Sequence, residues 1–394
     1  MEKGMPATAY IKDNRLPRIL AGHPWIYQSD LLPLKNAPDD GAAVTVRSQG
    51  GSFVGKGFYN SKSSISIRLM TRDKNEELDE AWLRRRLEEA IDFRKKYCKP
   101  RECRRLVWSE ADLLSGLIAD QYGDLLVIQT LSFAMDLRKE AIARILQQLL
   151  QPKTILERND VASRKYEGLS ESISVLAGQP PAPSPVRIGS AQFEVDWMRG
   201  HKTGTYLDQQ DNWETVGSFC MGKSVLDCFT YEGGFAIHAA LAGARCVQAV
   251  DISGDAVTRC RKNAELNKVS CEFITANVFD HLTRLVQEKK SFDIVILDPP
   301  SFTKSRDKLE DALRGYKQIH LKALKLLAPG GLLATFCCSH HVDAETFRAV
   351  ALDAGFDTRK NLRLLATFTQ PLDHPVLPAV PETEYLKGHL FQIA

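Results

Sequence analysis

Residues 334–341, "ATFCCSHH", set Cys337 and Cys338 beside His340 and His341. Thiols and imidazoles this close could be a metal site, a redox pair, a nucleophile with a helper, or ordinary residues at a strand end. Adjacent cysteines lack the spacer of a chelating pair, so zinc fits poorly and no metal is expected. A disulfide between neighbours is strained. In a strand the two side chains would point to opposite faces, so one thiol would reach a substrate and the other would pack as a small apolar group.

Two further stretches carry carboxylates at strand ends. In "VLDCFTYEGGF" (225–235) an apolar run closes on Asp227 and enters a loop with Gly233 and Gly234. Such glycines let a backbone approach a ligand at the carboxyl end of a first strand. The G-x-G-x-x-G spacing of a pyrophosphate site is absent, and Glu232 stands where a pyrophosphate would be repelled. A phosphate-free, positively charged cofactor suits the loop better, and S-adenosylmethionine is the expectation. Asp251 ends the next run, the usual place for a carboxylate that binds both ribose hydroxyls. In "ILDPPSF" (296–302), Asp298 precedes two prolines and Phe302. A rigid carboxylate could hydrogen-bond a base edge while an aromatic stacks on its face. Asp-Pro is also common in plain turns, and the place at a strand end beside the cofactor favours the site.

These residues need a frame. After "GQPPAPSPVRIG" (178–189), whose four prolines in six residues favour an extended linker, strand runs alternate with helical patterns. The runs are 224–229, 246–252, 271–277, 292–298 and 332–338, with helices such as 255–267 and 307–327, the latter stopped by "APGG". Near-continuous apolar strands between helices predict a parallel sheet covered on both faces. The first 75 residues read as a small all-β module with a Gly-Gly turn. The expected class is α/β: a C-terminal Rossmann-like domain over 186–394, an N-terminal all-β domain over 1–75 and a central α+β domain over 76–180.

The 394 residues, 44% hydrophobic and 26% charged, describe a globular protein. No apolar run reaches the roughly 18 residues of a membrane span, and the N-terminus lacks a signal-peptide core. Nine cysteines without a CxxC pair suggest reduced thiols in the cytoplasm. A net charge of +3 does not announce nucleic acid, but residues 84–105 hold ten Lys/Arg against four Asp/Glu. Leu83, Leu87, Ala90 and Ile91 form an apolar stripe there, so the basic face is either a solvated helix face or a phosphate-contacting one.

Several stretches together resemble the bacterial PUA-domain ribosomal RNA methyltransferases of the RlmI-like family. They are "GHPWIY" (22–27), "SEADLLSGLIADQYGD" (109–124), "ERNDVASRKYEGL" (157–169), "GHKTGTYLDQQDN" (200–212), "VLDCFTYEGGF", "AVDIS", "LDPPSF", "FCCS" and "PLDHPVLPAVPETEYLKG" (371–388). The likeness spans nearly the whole chain. It implies a PUA domain, a central α+β domain, a class I S-adenosylmethionine-dependent methyltransferase domain, and methylation of cytosine carbon 5 in large-subunit (23S) ribosomal RNA. It implies that Asp227, Phe229, Tyr231, Gly233 and Gly234 surround the methionine half of the cofactor, with Pro299 also against it. Asp251 would hold the ribose, and Asn277 would accept from the adenine amino group. Lys202–Gln209 would close over the cofactor, with Asp208 and Gln209 at its amino-acid end and Lys202 on the RNA side. The family nucleophile is the cysteine directly before the serine, here Cys338; Asp298 would support ring nitrogen 3 and Phe302 the base. Ribosomal RNA is the expected partner, no membrane is, and a homodimer is one option for assembly. Two other functions remain open: methylation of a base nitrogen, for which Cys338 would be idle, and a non-catalytic RNA-binding assembly factor.

Overall fold

The computed structural model describes residues 7–34, 37–200, 202–303 and 305–394. The chain folds into two units. One holds the residues up to Pro183, with Asp196–Thr205 and Leu372–Thr383; the other holds Ser184–Val195, Tyr206–Pro371 and Glu384–Ala394.

The first unit contains two five-stranded sheets. In the first, Ala43–Ser48 and Phe53–Tyr59 form a hairpin whose turn needs Gly51 at φ +88°, and Ile67–Thr71 pairs with the second hairpin strand. In the second sheet, Cys103–Trp108, Leu117–Tyr122 and Leu125–Thr130 run antiparallel. The helix Glu80–Tyr97 packs on this sheet through Leu83, Leu87, Ala90 and Ile91, the stripe expected from sequence. Much of its basic face is internally paired. Arg84 meets Glu88, Arg85 and Arg86 meet Glu76 and Glu89, and Lys95 meets Asp92. Arg94 and Arg105 are buried.

The second unit is built on a seven-stranded sheet. Its strands are β1 (Ser224–Cys228), β2 (Cys246–Asp251), β3 (Glu272–Thr275), β4 (Phe292–Leu297), β5 (Leu327–Cys337), β6 (Leu362–Thr369) and β7 (Lys387–Ile393). Their order is β3-β2-β1-β4-β5-β7-β6, parallel from β3 to β5, with β7 antiparallel to both neighbours. The helices are α1 (Gln210–Gly217), α2 (Gly234–Leu241), α3 (Gly254–Leu266), α4 (Val278–Gln287), α5 (Leu309–Leu326) and α6 (Ala344–Asp357). The five strand runs read from sequence are β1 to β5. The strands β6 and β7 lie outside those runs: β6 is largely exposed, and β7 carries Lys387, Gly388 and His389. The "APGG" tract does end α5, but it belongs to β5, where the register with β4 shifts between Phe292 and Ile294. The proline-rich linker is also shorter than expected. Ser184–Ile188 pairs with Ala191–Val195 as a hairpin of this unit.

Among the described residues, no helix is long and apolar enough to cross a membrane.

Candidate active site

Asp227 lies in the middle of the sheet, flanked by β2 and β4, and is fully buried. Its Oδ2 accepts from the Thr230 hydroxyl at 2.5 Å and from the Ala236 amide at 3.1 Å. Its Oδ1 is buried without a hydrogen-bond partner. Burial pushes this carboxyl up to about 7, against the smaller lowering effect of those two bonds. A buried acceptor left unmet costs stability, on the order of 1–3 kcal/mol, unless a ligand meets it. A cationic ligand group satisfies both the atom and the charge.

The loop after Asp227 holds a strained path. Phe229 and Tyr231 adopt φ +65° and +49°, a region bulky side chains avoid, and Gly233 follows at +88°. The amides of Phe229 and Thr230 both donate to the Val250 carbonyl, tying the loop to β2. Asp251, at the end of β2, accepts from the Tyr231 amide at 3.0 Å and from the Ser253 amide at 2.9 Å. The two glycines have different causes. Gly233 answers its backbone conformation, whereas a Cβ on Gly234 would lie 2.3 Å from the Trp213 ring. Close packing, rather than approach to a ligand, excludes a side chain at Gly234. Glu232 does not stand as a lone negative charge either: its Oε1 is 3.0 Å from the Arg259 Nε. The case for a cationic cofactor therefore rests on Asp227.

Asp298 follows β4, next to β1, and its amide donates to the Cys228 carbonyl. Its Oδ2 accepts from Gln209 Nε2 at 3.0 Å. Gln209 comes from the turn Leu207–Gln209, where Asp208 accepts from the Tyr385 hydroxyl at 2.7 Å. Pro299 is buried behind Asp298. Phe302 sits in an aromatic cluster, 4.6 Å from Tyr316, 6.0 Å from Phe279 and 6.4 Å from Phe229 between ring centroids. It packs against the core and stays partly exposed.

The two thiols separate as strand alternation requires. Cys337, the last residue of β5, is fully buried and lies 3.3 Å from the Tyr316 hydroxyl. Burial raises its pKa. Cys338, one residue past the strand, is half-exposed. Lys387, opposite Cys337 in the register, donates to the Ser339 carbonyl at 2.6 Å and closes the turn from behind. His340 and His341 are exposed, and His340 lies 5.9 Å from the Tyr385 ring. Among the described residues, no group of three or more His, Cys, Asp and Glu side chains could hold a metal ion.

Thus Asp227, Phe229, Tyr231, Gly233, Gly234, Asp251, Asp298 and Pro299 gather at the carboxyl ends of β1, β2 and β4, with Cys338 after β5. Two expected residues have other surroundings: Asn277 follows β3 at the same edge of the sheet, and Lys202 lies outside this unit. Asn277 caps α4, and its amide oxygen already accepts from the Phe279 and Asp280 amides. A carboxamide oxygen has two lone pairs, so an adenine contact through that atom would displace a cap bond. Lys202 belongs to the first unit, exposed, at φ +52°. Sequence reasoning assigned no role to Asn212, Tyr206, Tyr316, Tyr385 or Lys387. Except for Tyr316, which lies outside the quoted stretches, their only signal was membership of those stretches, because a contact made across the fold leaves no spacing in the chain.

A parallel sheet of this order, with carboxylates after its first, second and fourth strands, defines a Rossmann-like methyl-transfer fold. A family model described as S-adenosylmethionine-dependent methyltransferase matches residues 103–383, and one described as PUA-like domain matches residues 9–72. The chain belongs to that S-adenosylmethionine-dependent methyltransferase family, and S-adenosylmethionine is its cofactor. It is 38% identical to the ribosomal RNA large subunit methyltransferase I of Aeromonas hydrophila over 392 residues, 98% of each chain. It is equally identical to the protein of that name from Shewanella amazonensis over 384 residues, 96% of this chain and 97% of the relative. A solved structure assigned as a SAM-dependent methyltransferase from Streptococcus mutans shares the fold, with a TM-score of 0.83 at 20% identity over 98% of this chain and 100% of that one.

Proposed function

We propose that this protein methylates carbon 5 of a cytosine in large-subunit ribosomal RNA through a covalent adduct on Cys338. The relatives' names carry the substrate class. The observation that carries the chemistry is the contrast between the thiols: Cys337 is buried beneath Tyr316, whereas Cys338 is half-exposed just past β5, the strand beside β4 and Asp298.

S-adenosylmethionine, when bound, supplies an electrophilic methyl on a positively charged sulfur. Asp227 meets its cationic methionine end and Asp251 its ribose. Phe229, Tyr231 and Pro299 line the pocket, and the turn with Asp208 and Gln209 closes near the amino-acid end. Asn277 stands on the adenine side. Carbon 5 of cytosine is a poor nucleophile. The Cys338 thiolate adds to carbon 6, and the ring electrons move toward carbon 5. Asp298 donates a hydrogen bond or a proton at ring nitrogen 3 and stabilises the adduct. Once carbon 5 carries the methyl, its proton passes to solvent water. The freed electron pair restores the carbon 5–carbon 6 double bond, the thiolate leaves, and a proton lent to ring nitrogen 3 returns to Asp298.

The RNA is held chiefly through its backbone by the all-β domain (1–75), the central domain (76–180) and Lys202, while 186–394 performs the chemistry. The target base is flipped out of its stack into the site. Nine free cysteines suit a reducing cytoplasm.

Nucleoside mass spectrometry of ribosomal RNA from cells with and without the gene tests the product. Cys338→Ala should abolish methylation with cofactor binding intact, and Cys337→Ala should keep most activity. RNA carrying 5-fluorocytosine should trap the wild type and not Cys338→Ala, because fluorine blocks loss of the carbon 5 substituent. Activity surviving in Cys338→Ala, or an adduct mapped to Cys337, would overturn the choice of thiol. Turnover without any adduct would point to a base nitrogen.

A further inference from the structure

The Asp298 carboxylate is reached by a chain of amides whose polarity can be deduced from one end. At β6 the backbone carbonyl of Thr369 can only accept a hydrogen bond. The Asn212 Nδ2 lies 3.2 Å from it, so this atom must be the donating nitrogen of the amide. The same nitrogen lies 2.7 Å from Gln209 Oε1. With Asn212 fixed as donor, Gln209 must present its oxygen to Asn212 and its NH2 group to the other side. There Nε2 donates to Asp298 Oδ2 at 3.0 Å. Asn212 and Gln209 are each only 4% exposed, so water is poorly placed to replace a link.

We propose that Asn212 and Gln209 are positioning residues that hold the Asp298 carboxylate in one orientation, with Oδ2 kept as an acceptor by a relay anchored on the Thr369 carbonyl. The inference rests on Asp298 acting at the substrate base, and it adds how the carboxylate is aimed there. While the relay is intact, Oδ2 faces an N–H and cannot itself carry a proton in that direction. The relay also gives the segment "YLDQQDN" a role in aiming a carboxylate, beyond closing over a cofactor. The other titratable groups that act on this surrounding are Asp208 from the same turn and Tyr206 just before it, Tyr231 from the loop after β1, Cys337 and Cys338 from the end of β5, and Lys387 from β7.

The test is the pH dependence of kcat and kcat/KM for methylation of an RNA fragment by the full chain, with KM for S-adenosylmethionine measured separately. Gln209→Met removes the donor at nearly constant volume. It should lower kcat roughly 10- to 100-fold, over and above any rise in KM for the cofactor that loss of a residue near its amino-acid end brings, and move the limb of the profile that reports Asp298 to higher pH. Gln209→Glu should be impaired at neutral pH and recover as acid protonates the introduced carboxyl, which can then donate. Asn212→Leu should reproduce Gln209→Met, and the double variant should be no worse than either single one, because all three break one chain. Should Gln209→Met fold poorly, Gln209→Glu carries the test alone, since a purely structural role predicts no recovery in acid. An unmoved profile with a raised KM for the cofactor would overturn the relay. Asp298→Asn, measured alongside, separates the two claims. If it is fully active, the role of Asp298 fails. If it is inactive while both Gln209 variants behave as wild type, the relay fails and the role of Asp298 stands.

Discussion

Asp120 and Asp227 are both fully buried aspartates on strands, one in each unit, and they sit in opposite company. Asp120 receives two bonds from Arg105, at 2.8 and 2.7 Å, and a third from the Thr203 hydroxyl at 2.6 Å. Thr203 is itself 2.9 Å from the Tyr122 hydroxyl. Nearby, Arg94 pairs with Asp112 and donates to the Asp373 carbonyl at 2.7 Å, and the Arg105 amide meets the Asp373 carboxylate at 3.0 Å. Asp227 has a hydroxyl and an amide on one oxygen, nothing on the other, and two left-handed bulky residues just beyond it. The first arrangement consumes its charges to fix a fold. The second keeps an unmet acceptor and a strained loop, which only a ligand can repay. The two aspartates thus differ in how far the protein itself satisfies them, and it is Asp227, with its unmet oxygen beside a strained loop, that the proposed function assigns to a ligand.

The strongest way to break this contrast is to remove Arg105. Arg105→Met leaves Asp120 buried and uncompensated, and should cost about 3–5 kcal/mol of stability in urea titrations. The affinity for S-adenosylmethionine should stay unchanged under conditions where the variant is folded. A loss below about 1 kcal/mol would show that the pair is not structural.

Asp227→Asn should behave in the opposite sense. The folded-state value of about 7 lies above the ordinary 3.8. The stability that goes with the neutral carboxyl is thus fully present below pH 3.8 and lost as the pH rises through about 7. The variant stays neutral, so calorimetry should find it more stable than wild type at pH 8, by up to about 4 kcal/mol, and no more stable near pH 4. Its affinity for S-adenosylmethionine should fall roughly 10- to 100-fold, as for a lost charge-assisted hydrogen bond. Lower stability at pH 8 with unchanged affinity would place Asp227 with Asp120.

His320 sharpens the comparison within the second unit. It is fully buried, its Nε2 is 2.8 Å from the Thr335 hydroxyl, and burial, with a smaller effect from His389, lowers it to about 3. Its folded value lies below the ordinary 6.5, so its contribution is complete above pH 6.5 and is lost as the pH falls toward 3. Stability should drop by about 1.4 kcal/mol per pH unit in that window from this group. His320→Leu should flatten the slope between pH 6 and 4.5, and an unchanged slope would assign the acid sensitivity elsewhere.

The smallest effect concerns the remaining basic face. Lys96 and Lys99 are exposed on the stretch whose arginines are paired. Replacing both with alanine should leave stability within about 0.5 kcal/mol. The salt dependence of RNA binding should lose a slope of roughly 1.4–1.8 if each lysine meets one phosphate. An unchanged slope would remove this face from the RNA path.

Taken alone, the sequence determined the parallel core. Apolar runs of six or seven residues between helical patterns admit few other arrangements, and the carboxylates Asp227, Asp251 and Asp298 stand at or near their ends. It also determined that only one of two neighbouring thiols faces outward, because strand alternation is a local rule. Tertiary structure decided the rest. The roles of Gly234, Glu232, Asn277 and Phe302 turned on Trp213, Arg259, the α4 amides and Tyr316, partners met only across the fold. The strands β6 and β7 lay outside the runs read from sequence, although residues 364–368 of β6 repeat the LLATF of β5; β7, with Lys387, Gly388 and His389, became a strand through pairing. Whether Arg94 and Arg105 face solvent or a buried aspartate is likewise invisible to spacing. A charge is silent about its partner until the chain has closed around it.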